Sequence, residues 1–304
     1  MRRVVTATGR TWALVGATAA APAMWGTTYV VTTELLPAGH PLWSGLLRAL
    51  PAGLLALALG RSLPRGAWWW KALVLGTLNI GAFFPLLFLA ASLLPGGVAA
   101  VFGAANPLIV AVLALPLLRE RPTAWRLAWG VLGVVGVALM VLAPGAALSP
   151  LGALAALTSS VSMALGTVLS KRWGTPTDPV SYAGWLLTAG GLLILPLALL
   201  VEGGPPPLDG RAVGGYLWLA LGGTLLGYVL WFRGVGRLPA GSVAFIPLIS
   251  PLVATVLGWA VLDEALSPVQ AAGFALALLA VACSQRQPTR PAVLTGPVLA
   301  RTPA

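Results

Sequence analysis

Residues 94–120 of the chain read LPGGVAAVFGAANPLIVAVLALPLLRE, and residues 238–264 read LPAGSVAFIPLISPLVATVLGWAVLDE. The two stretches align without a gap at a shift of 144 residues, and 10 of the 27 pairs are identical. Matched leucines and alanines are common in so apolar a chain. Matched prolines, such as Pro107 with Pro251, and a matched closing glutamate are not. The sequence therefore predicts two copies of one structural unit.

The composition indicates a membrane protein. Of the 304 residues, 58% are hydrophobic and only 8% are charged, whereas a soluble globular domain carries about 25% charged residues. A helix needs about 20 mostly apolar residues to cross a bilayer, and such runs follow one another along almost the whole chain. The runs lack the alternation of β-barrel strands, so we expect an all-α membrane protein.

The apolar runs predict ten transmembrane helices, over residues 12–36, 41–60, 67–93, 95–118, 123–143, 150–172, 179–201, 213–236, 239–262 and 267–285. The first five form one repeat over residues 12–143, and the last five form a second repeat over residues 150–285. The tail 286–304 is rich in Pro, Thr and Arg, so we expect a disordered cytoplasmic segment. The basic start of the chain would also suit a signal peptide, but the apolar run continues to Leu36 and favours an uncleaved first helix.

The positive charges predict how these helices are oriented. With the amino terminus in the cytoplasm, 16 of the 18 Lys and Arg residues fall on the cytoplasmic side, Arg211 falls outside and Arg48 lies within a helix. This asymmetry predicts a multi-pass protein of the cell (inner) membrane with both termini cytoplasmic. Because each repeat has five helices, the second repeat would enter the membrane upside down. Inverted repeats are typical of alternating-access transporters.

Matched prolines inside two helices point to a binding site. A proline removes a backbone donor, and paired interruptions in the two halves indicate where a transporter binds its substrate; a simple helix bend is the alternative. Aromatic, hydroxyl and amide side chains near that level suit a small amphipathic or zwitterionic ligand. The candidate substrate-binding residues are Trp25, Thr28, Asn79, Phe83, Phe102, Asn106, Pro107, Met163, Thr167, Tyr228, Trp231, Phe245, Ser250 and Pro251.

Glu34 and Arg48 are candidates for a gate or a coupling site, because ionisable residues within spans are expensive and usually functional. Arg48 lies seven residues into its helix, about 10 Å along the axis, and Glu34 is near the outer end of the preceding helix. The two side chains could therefore meet. The alternatives are an ion pair that only holds the helices together, or side chains that extend outward to water. We expect no basic side chain at the level of the paired prolines, which disfavours a phosphate-bearing substrate.

Several motifs resemble those of the drug/metabolite transporter superfamily, and within it the EamA-type transporters. They are WGTTY at 25–29, LRA at 47–49, NPL at 106–108 with ERPT at 120–123, and SPL at 250–252 with EALS at 264–267. The resemblance covers residues 14–143 and 150–284. It implies ten helices, a central cavity and mostly the export of small metabolites such as amino acids. The chain departs from the family pattern at Trp129, where a glycine is common, and at residues 32–34, where members often carry a lysine.

Our first functional hypothesis is a secondary transporter that exports an amino acid or a related amphipathic compound by alternating access. A polytopic enzyme acting on lipids is the second, although one His and seven acidic residues do not form the interfacial cluster that such an enzyme needs. A passive channel is the third, although no ring of filter residues is visible. We expect no catalytic residues, metal site or cofactor, no nucleic-acid partner despite the net charge of +11, and contact with substrate and lipid only. The oligomeric state is left open.

Overall fold

A computed structural model describes residues 2–94, 98–141, 149–261 and 267–285, and within these ranges the regular structure is entirely helical. Six of these helices are long and apolar enough to cross a membrane: Pro41–Gly60, Trp68–Ala90, Pro150–Trp173, Pro179–Val201, Gly210–Arg237 and Ala240–Leu257. Shorter apolar helices are Asn106–Leu118, Ala124–Met140 and Pro268–Ser284. The predicted all-α membrane protein is confirmed. The tail 286–304 and Glu264 lie outside the described ranges.

In chain order the α-helices are α1 (Arg2–Gly26), α2 (Thr28–Leu35), α3 (Pro41–Gly60), α4 (Trp68–Gly76), α5 (Phe83–Leu93), α6 (Val98–Ala104), α7 (Asn106–Leu118), α8 (Ala124–Val141), α9 (Pro150–Trp173), α10 (Pro179–Val201), α11 (Gly210–Leu217), α12 (Gly227–Arg237), α13 (Ala240–Val243), α14 (Ile249–Val261) and α15 (Pro268–Ser284). The first π segment, Thr77–Gly81, joins α4 to α5, and the second π segment, Trp218–Leu226, joins α11 to α12. A 3-10 turn, Ile246–Leu248, precedes α14.

Five of the predicted helices are interrupted rather than continuous. The first breaks at Thr27, whose hydroxyl donates to the carbonyl of Met24 at 2.7 Å and so competes with the helical hydrogen bonds. The third and eighth contain the π segments. The fourth breaks at Ala105, and the ninth passes through the 3-10 turn. The paired prolines predicted interruptions in the fourth and ninth helices only, and the breaks in the first, third and eighth were not predicted.

The matched prolines lie close to two of these breaks. Pro107 is the second residue of α7 and Pro251 is the third residue of α14. The first turn of a helix tolerates proline because its N–H groups have no partner within the helix. The prolines therefore stand where a helix restarts, and not in the middle of a bent helix.

Two helix pairs make the most extensive contacts, α3 with α10 and α8 with α15. At the second pair the backbones touch: a Cβ added at Gly136 would lie 2.7 Å from the nitrogen of Ala277, and one added at Gly273 would lie 2.6 Å from the carbonyl oxygen of Gly136. Small residues at such contacts let membrane helices approach closely. These pairs form the tightly packed parts of the bundle.

The largest apolar cluster lies among α1, α3, α4, α10 and α12. Its largest fully buried side chains include Trp231, Tyr182 and Phe232. The two π segments border this cluster through Ile80 and Ala220. The irregular parts of the third and eighth predicted helices therefore meet the same interior.

Candidate substrate-binding site

Five of the predicted cavity residues come together in the largest cluster. They are Trp25, Phe83, Met163, Tyr228 and Trp231. The ring of Trp25 lies 5.3 Å from that of Tyr228 and 5.5 Å from that of Trp231, in tilted arrangements that aromatic pairs favour. The cluster joins α1 to α12 and has apolar walls suited to the body of an amphipathic ligand.

Two tryptophans connect the break in the first predicted helix to the second π segment. The Nε1 of Trp25 donates to the carbonyl oxygen of Gly223 at 2.8 Å, and the Nε1 of Trp218 donates to the hydroxyl of Thr27 at 2.8 Å. A π segment changes the regular α-helical pairing of carbonyls, and a side chain from another helix can then use one of them. The two irregular segments are thus held against each other.

The guanidinium of Arg48 lies beside these groups. Its Nε donates to the hydroxyl of Thr224 at 3.1 Å, and its Cζ lies 4.8 Å from the ring centroid of Phe84. Thr224 follows Gly223 directly, so Arg48 and Trp25 contact adjacent residues of the second π segment. The Arg48 side chain is only 5% exposed.

Arg48, a predicted gate or coupling residue, has its guanidinium against the second π segment, next to the residue whose carbonyl Trp25 contacts. An arginine side chain carries its charge several ångströms from its own Cα, so a residue of α3 can place a cation beside this segment. A cation–π contact to a desolvated ring contributes about 2 kcal/mol, whereas burying an unpaired ion costs more than this. Within the described ranges the guanidinium has no carboxylate partner.

Glu34 does not pair with Arg48. Its side chain is exposed near the end of α2, and its backbone carbonyl accepts a hydrogen bond of 3.3 Å from the Nη2 of Arg211. The two gate candidates therefore do not meet, because Arg48 extends towards the second π segment and the Glu34 side chain is exposed.

Five of the candidate residues carry a buried polar atom that has no hydrogen-bond partner in the described part of the chain. These atoms are Thr28 Oγ1, Asn79 Oδ1, Asn106 Oδ1, Thr167 Oγ1 and Trp231 Nε1. Buried polar groups in proteins are usually satisfied, so each such atom calls for an explanation. A polar ligand or water would supply the missing partners.

Hydroxyl groups of α9 donate hydrogen bonds to the first π segment and to the start of α5. The Ser162 hydroxyl donates to the carbonyl of Leu78 at 2.8 Å, and the Ser159 hydroxyl donates to that of Phe83 at 3.3 Å. Asn79 packs directly on Gly166, where an added Cβ would lie 2.4 Å from its Nδ2. These two serines are not among the residues predicted to line the site. Their spacing, with Gly166 on the same face of an otherwise apolar helix, was the available signal.

Four candidate residues lie apart from the cluster around Trp25. Phe102 packs beside Ala90 and Ala155, and Phe245 belongs to a separate cluster with Leu248. The half-buried Ser250 meets α1 through its backbone, since a Cβ at Gly26 would lie 2.6 Å from its carbonyl oxygen. The remaining residue is its half-buried neighbour, Pro251. The structure therefore does not place all the candidates in one compartment.

A hydrogen bond from Asn106 connects the first repeated stretch to the second. Its Nδ2 donates to the carbonyl oxygen of Ala244 at 3.3 Å. Asn106 begins α7, and Ala244 follows α13. Pro107 and Phe245, the next residue in each stretch, line a shallow cleft. The two repeated stretches are thus in direct contact.

Charged residues from both halves surround the end of this cleft. It is lined by Glu120 and Arg126, and the Nη2 of Arg126 donates to the Ser242 hydroxyl at 3.3 Å. Lys171 donates to the carbonyl of Leu238, and Glu120 attracts both cations. The prediction placed this end of the bundle in the cytoplasm.

Comparisons with known proteins give the family. The chain matches the model of the EamA-like transporter family over residues 11–142 and 150–285. It is 44% identical over 255 residues to Protein PecM of Dickeya dadantii (strain 3937), covering 83% of this chain and 86% of that protein. It is 31% identical over 273 residues to the uncharacterized inner membrane transporter YedA of Escherichia coli (strain K12), covering 84% and 85%.

The fold is shared with a solved structure titled "Crystal structure of protein". The two chains are 20% identical and superpose with a TM-score of 0.76, over 90% of this chain and 97% of that one. The family match and the curated relatives agree with the resemblance seen in the sequence motifs. The chain belongs to the EamA-like transporter family, in the drug/metabolite transporter superfamily, and is a multi-pass membrane transporter of small molecules.

Proposed function

We propose that the protein exports a small amphipathic metabolite, an amino acid or a related compound, across the cytoplasmic membrane by alternating access. The observation that carries the proposal is the set of helix interruptions around a buried polar and aromatic interior. In transporters, discontinuous helices supply binding groups near the middle of the membrane. Here Trp25, next to the break at Thr27, and Arg48 donate hydrogen bonds to the second π segment. Asn79 lies within the first π segment.

The contacts between helices support two inverted five-helix repeats. With the halves exchanged, α3 corresponds to α10 and α8 to α15, and these pairs make the most extensive contacts. If a twofold axis relates two repeats, each helix that lies next to the axis packs against the equivalent helix of the other repeat. The pairing of α1 with α12 likewise corresponds to that of α9 with α5.

The two π segments also lie at equivalent places in the two predicted repeats, in the third helix of each. The second π segment receives side-chain hydrogen bonds from Trp25 of α1, and the first receives them from Ser162 of α9. Helices α1 and α9 occupy the same place in the two predicted repeats. Irregular segments that correspond in this way would let each half adopt the conformation of the other, as alternating access requires.

Different parts of the bundle would have different roles in transport. We infer that α3 with α10 and α8 with α15 stay together, because their close backbone contacts leave little freedom to slide. Contacts that join the halves through one or two side chains, such as Arg126 with Ser242, would break and re-form as the compartment opens to either side. The charged end of the cleft would then face the cytoplasm.

Counterflow in liposomes tests the proposal. Purified protein is reconstituted into vesicles that are preloaded in turn with each unlabelled amino acid, and uptake of the same labelled compound is measured against protein-free vesicles. We expect saturable, trans-stimulated uptake of at least one compound. Flux that does not saturate would indicate a channel, chemical conversion without flux would indicate an enzyme, and no flux of any amino acid would contradict the proposed substrate class.

A further inference from the structure

The guanidinium of Arg48 is buried but largely unused. Its five N–H groups make one hydrogen bond, from Nε to Thr224. The two terminal nitrogens carry the other four N–H groups and donate to no atom in the part of the chain that the structure describes. The ring of Phe84 covers one face of the group.

The surroundings of Arg48 do not neutralise its charge. Arginine stays protonated in proteins, and ionisable groups within membrane helices are normally paired. The contacts that the structure gives Arg48 are with a hydroxyl, an aromatic ring and Tyr228, none of which carries a compensating negative charge at neutral pH. A helix-packing role alone would be better served by an apolar side chain.

The backbone of the second π segment passes close to the terminal nitrogens. A Cβ added at Gly223 would lie 3.6 Å from the Nη2 of Arg48, so the second π segment passes the guanidinium without a side chain between them. The carbonyl of the same Gly223 accepts the hydrogen bond of Trp25. A group bound at Arg48 would therefore lie close to the aromatic cluster of Trp25 and Tyr228.

We propose, on the basis of the transport function proposed above, that Arg48 binds a carboxylate of the transported molecule. Two parallel N–H groups of a guanidinium match the two oxygens of a carboxylate. The bound carboxylate supplies the charge that the described residues do not. The apolar part of the same molecule packs on the aromatic cluster. Substrates are then carboxylic acids or zwitterions, and their neutral carboxamides are not substrates.

Matched acids and amides test this subsite. The probes are L-phenylalanine with L-phenylalaninamide, and 3-phenylpropionate with 3-phenylpropionamide, which differ only at the carboxyl group. Two measurements are made: competition against counterflow in vesicles, and the rise in thermal unfolding midpoint of the detergent-solubilised protein. In the wild type we expect each acid to act at a concentration about tenfold or more below that of its amide, because a charged, bidentate contact is lost.

Three variants identify the group responsible. Arg48→Gln should bind acid and amide equally, and Arg48→Lys should retain a weaker preference for the acid, because it keeps the charge but not the planar fork. Arg211→Gln, an exposed control at the outer end of α11, should behave as the wild type. If Arg48→Gln does not fold, Thr224→Val replaces it; this variant removes the hydroxyl that accepts from Nε and should reduce the acid preference at least threefold.

The two readouts separate this inference from the transport proposal. Saturable counterflow with equal competition by acid and amide would overturn the carboxylate subsite and leave transport standing. Acid-selective stabilisation that Arg48→Gln abolishes, in a protein that shows no counterflow, would support the subsite and overturn transport. An acid preference that survives in Arg48→Gln, or a stronger effect of inorganic phosphate than of any acid, would overturn the subsite.

Discussion

The indole Nε1 of Trp25 donates a 2.8 Å hydrogen bond to the carbonyl oxygen of Gly223. One partner ends the regular part of the first predicted helix, and the other lies in the second π segment. The bond fixes the indole against Tyr228, and a Cβ added at Gly227 would lie 3.0 Å from the same Nε1. The geometry of the aromatic cluster thus depends on a backbone carbonyl that a regular α-helix would use internally.

Replacing Trp25 by Phe should damage transport more than folding. The phenyl ring keeps most of the aromatic contact but leaves the Gly223 carbonyl without its donor, which costs about 1–3 kcal/mol when the group is buried. We expect the half-saturation concentration for counterflow to rise several-fold. Trp12→Phe is the matched control, since Trp12 is 49% exposed. Unchanged kinetics in both variants would contradict the role given to the Trp25 hydrogen bond.

Gly166→Ala should displace the Asn79 amide. The new methyl group would lie 2.4 Å from Asn79 Nδ2, which at present donates to the Leu75 carbonyl at 2.8 Å. Overpacking of this kind costs about 1–3 kcal/mol of unfolding free energy, and the candidate site loses the orientation of its amide. We expect counterflow to fall at least tenfold.

Gly16→Ala is the control for that substitution. It also adds a methyl group to a long helix, but no described atom outside the backbone of α1 lies within 4 Å of the new Cβ, so it should gain up to about 1 kcal/mol from helix propensity. Its transport should match the wild type. If both alanine variants had the same kinetics, Asn79 would not be part of the site.

The ends of the regular helices could be predicted from the sequence. Two predicted spans, 41–60 and 179–201, agree with α3 and α10 residue for residue. Each begins with a proline, which suits the first turn of a helix, and α10 is capped by Asp178, whose carboxylate accepts from Val180 and Ser181. Such signals are local, so the sequence contains them in full.

The interruptions could not be predicted, because their causes lie far away in the chain. The sequence of the first π segment, TLNIG, does not mark it as irregular, and the carbonyl of its Leu78 accepts a hydrogen bond from Ser162 of α9, 84 residues along the chain. Similarly, the position of the Arg48 guanidinium is set by its contacts with Phe84 and with Thr224, which is 176 residues away. Spacing along one helix does not contain this information, so the sequence suggested only that Arg48 and Glu34 could meet.

Asn106→Leu should uncouple the two halves at the repeated stretch. Asn106 donates to the Ala244 carbonyl across the contact between α7 and the segment after α13. Leucine has a similar volume but no donor, so the loss of this neutral bond costs about 1 kcal/mol. We expect normal insertion, a small drop in unfolding midpoint and counterflow reduced at least fivefold. Normal flux in this variant would remove the stretch from the site.

Glu202→Ala should destabilise the protein, and Glu34→Ala should not. The Glu202 carboxylate accepts from the backbone nitrogens of Leu42 at 2.7 Å and Trp43 at 3.0 Å, and so caps α3 from the end of α10. Removing a charged acceptor from helix N–H groups costs about 1.5–3 kcal/mol. Glu34 is exposed and offers only its backbone carbonyl to Arg211. Thermal unfolding of both variants in detergent measures the difference; equal losses would point to a partner for Glu34 that the structure does not show.

Labelling of engineered cysteines should find residues 145 and 265 on the same, outer face of the membrane. The predicted topology places five helices before the first position and four between the two, so both loops face outward if the repeats are inverted. Cys283 is the single native cysteine, and Cys283→Ser provides the background. In intact cells a membrane-impermeant maleimide should label cysteines at both positions and at Leu208, which lies in an exposed loop between α10 and α11. A cysteine at Arg65, in the loop between α3 and α4, should react only after permeabilisation. Opposite accessibility of positions 145 and 265 would mean that the helix count between them is odd, and the inverted repeat, with the shared compartment that depends on it, would have to be abandoned.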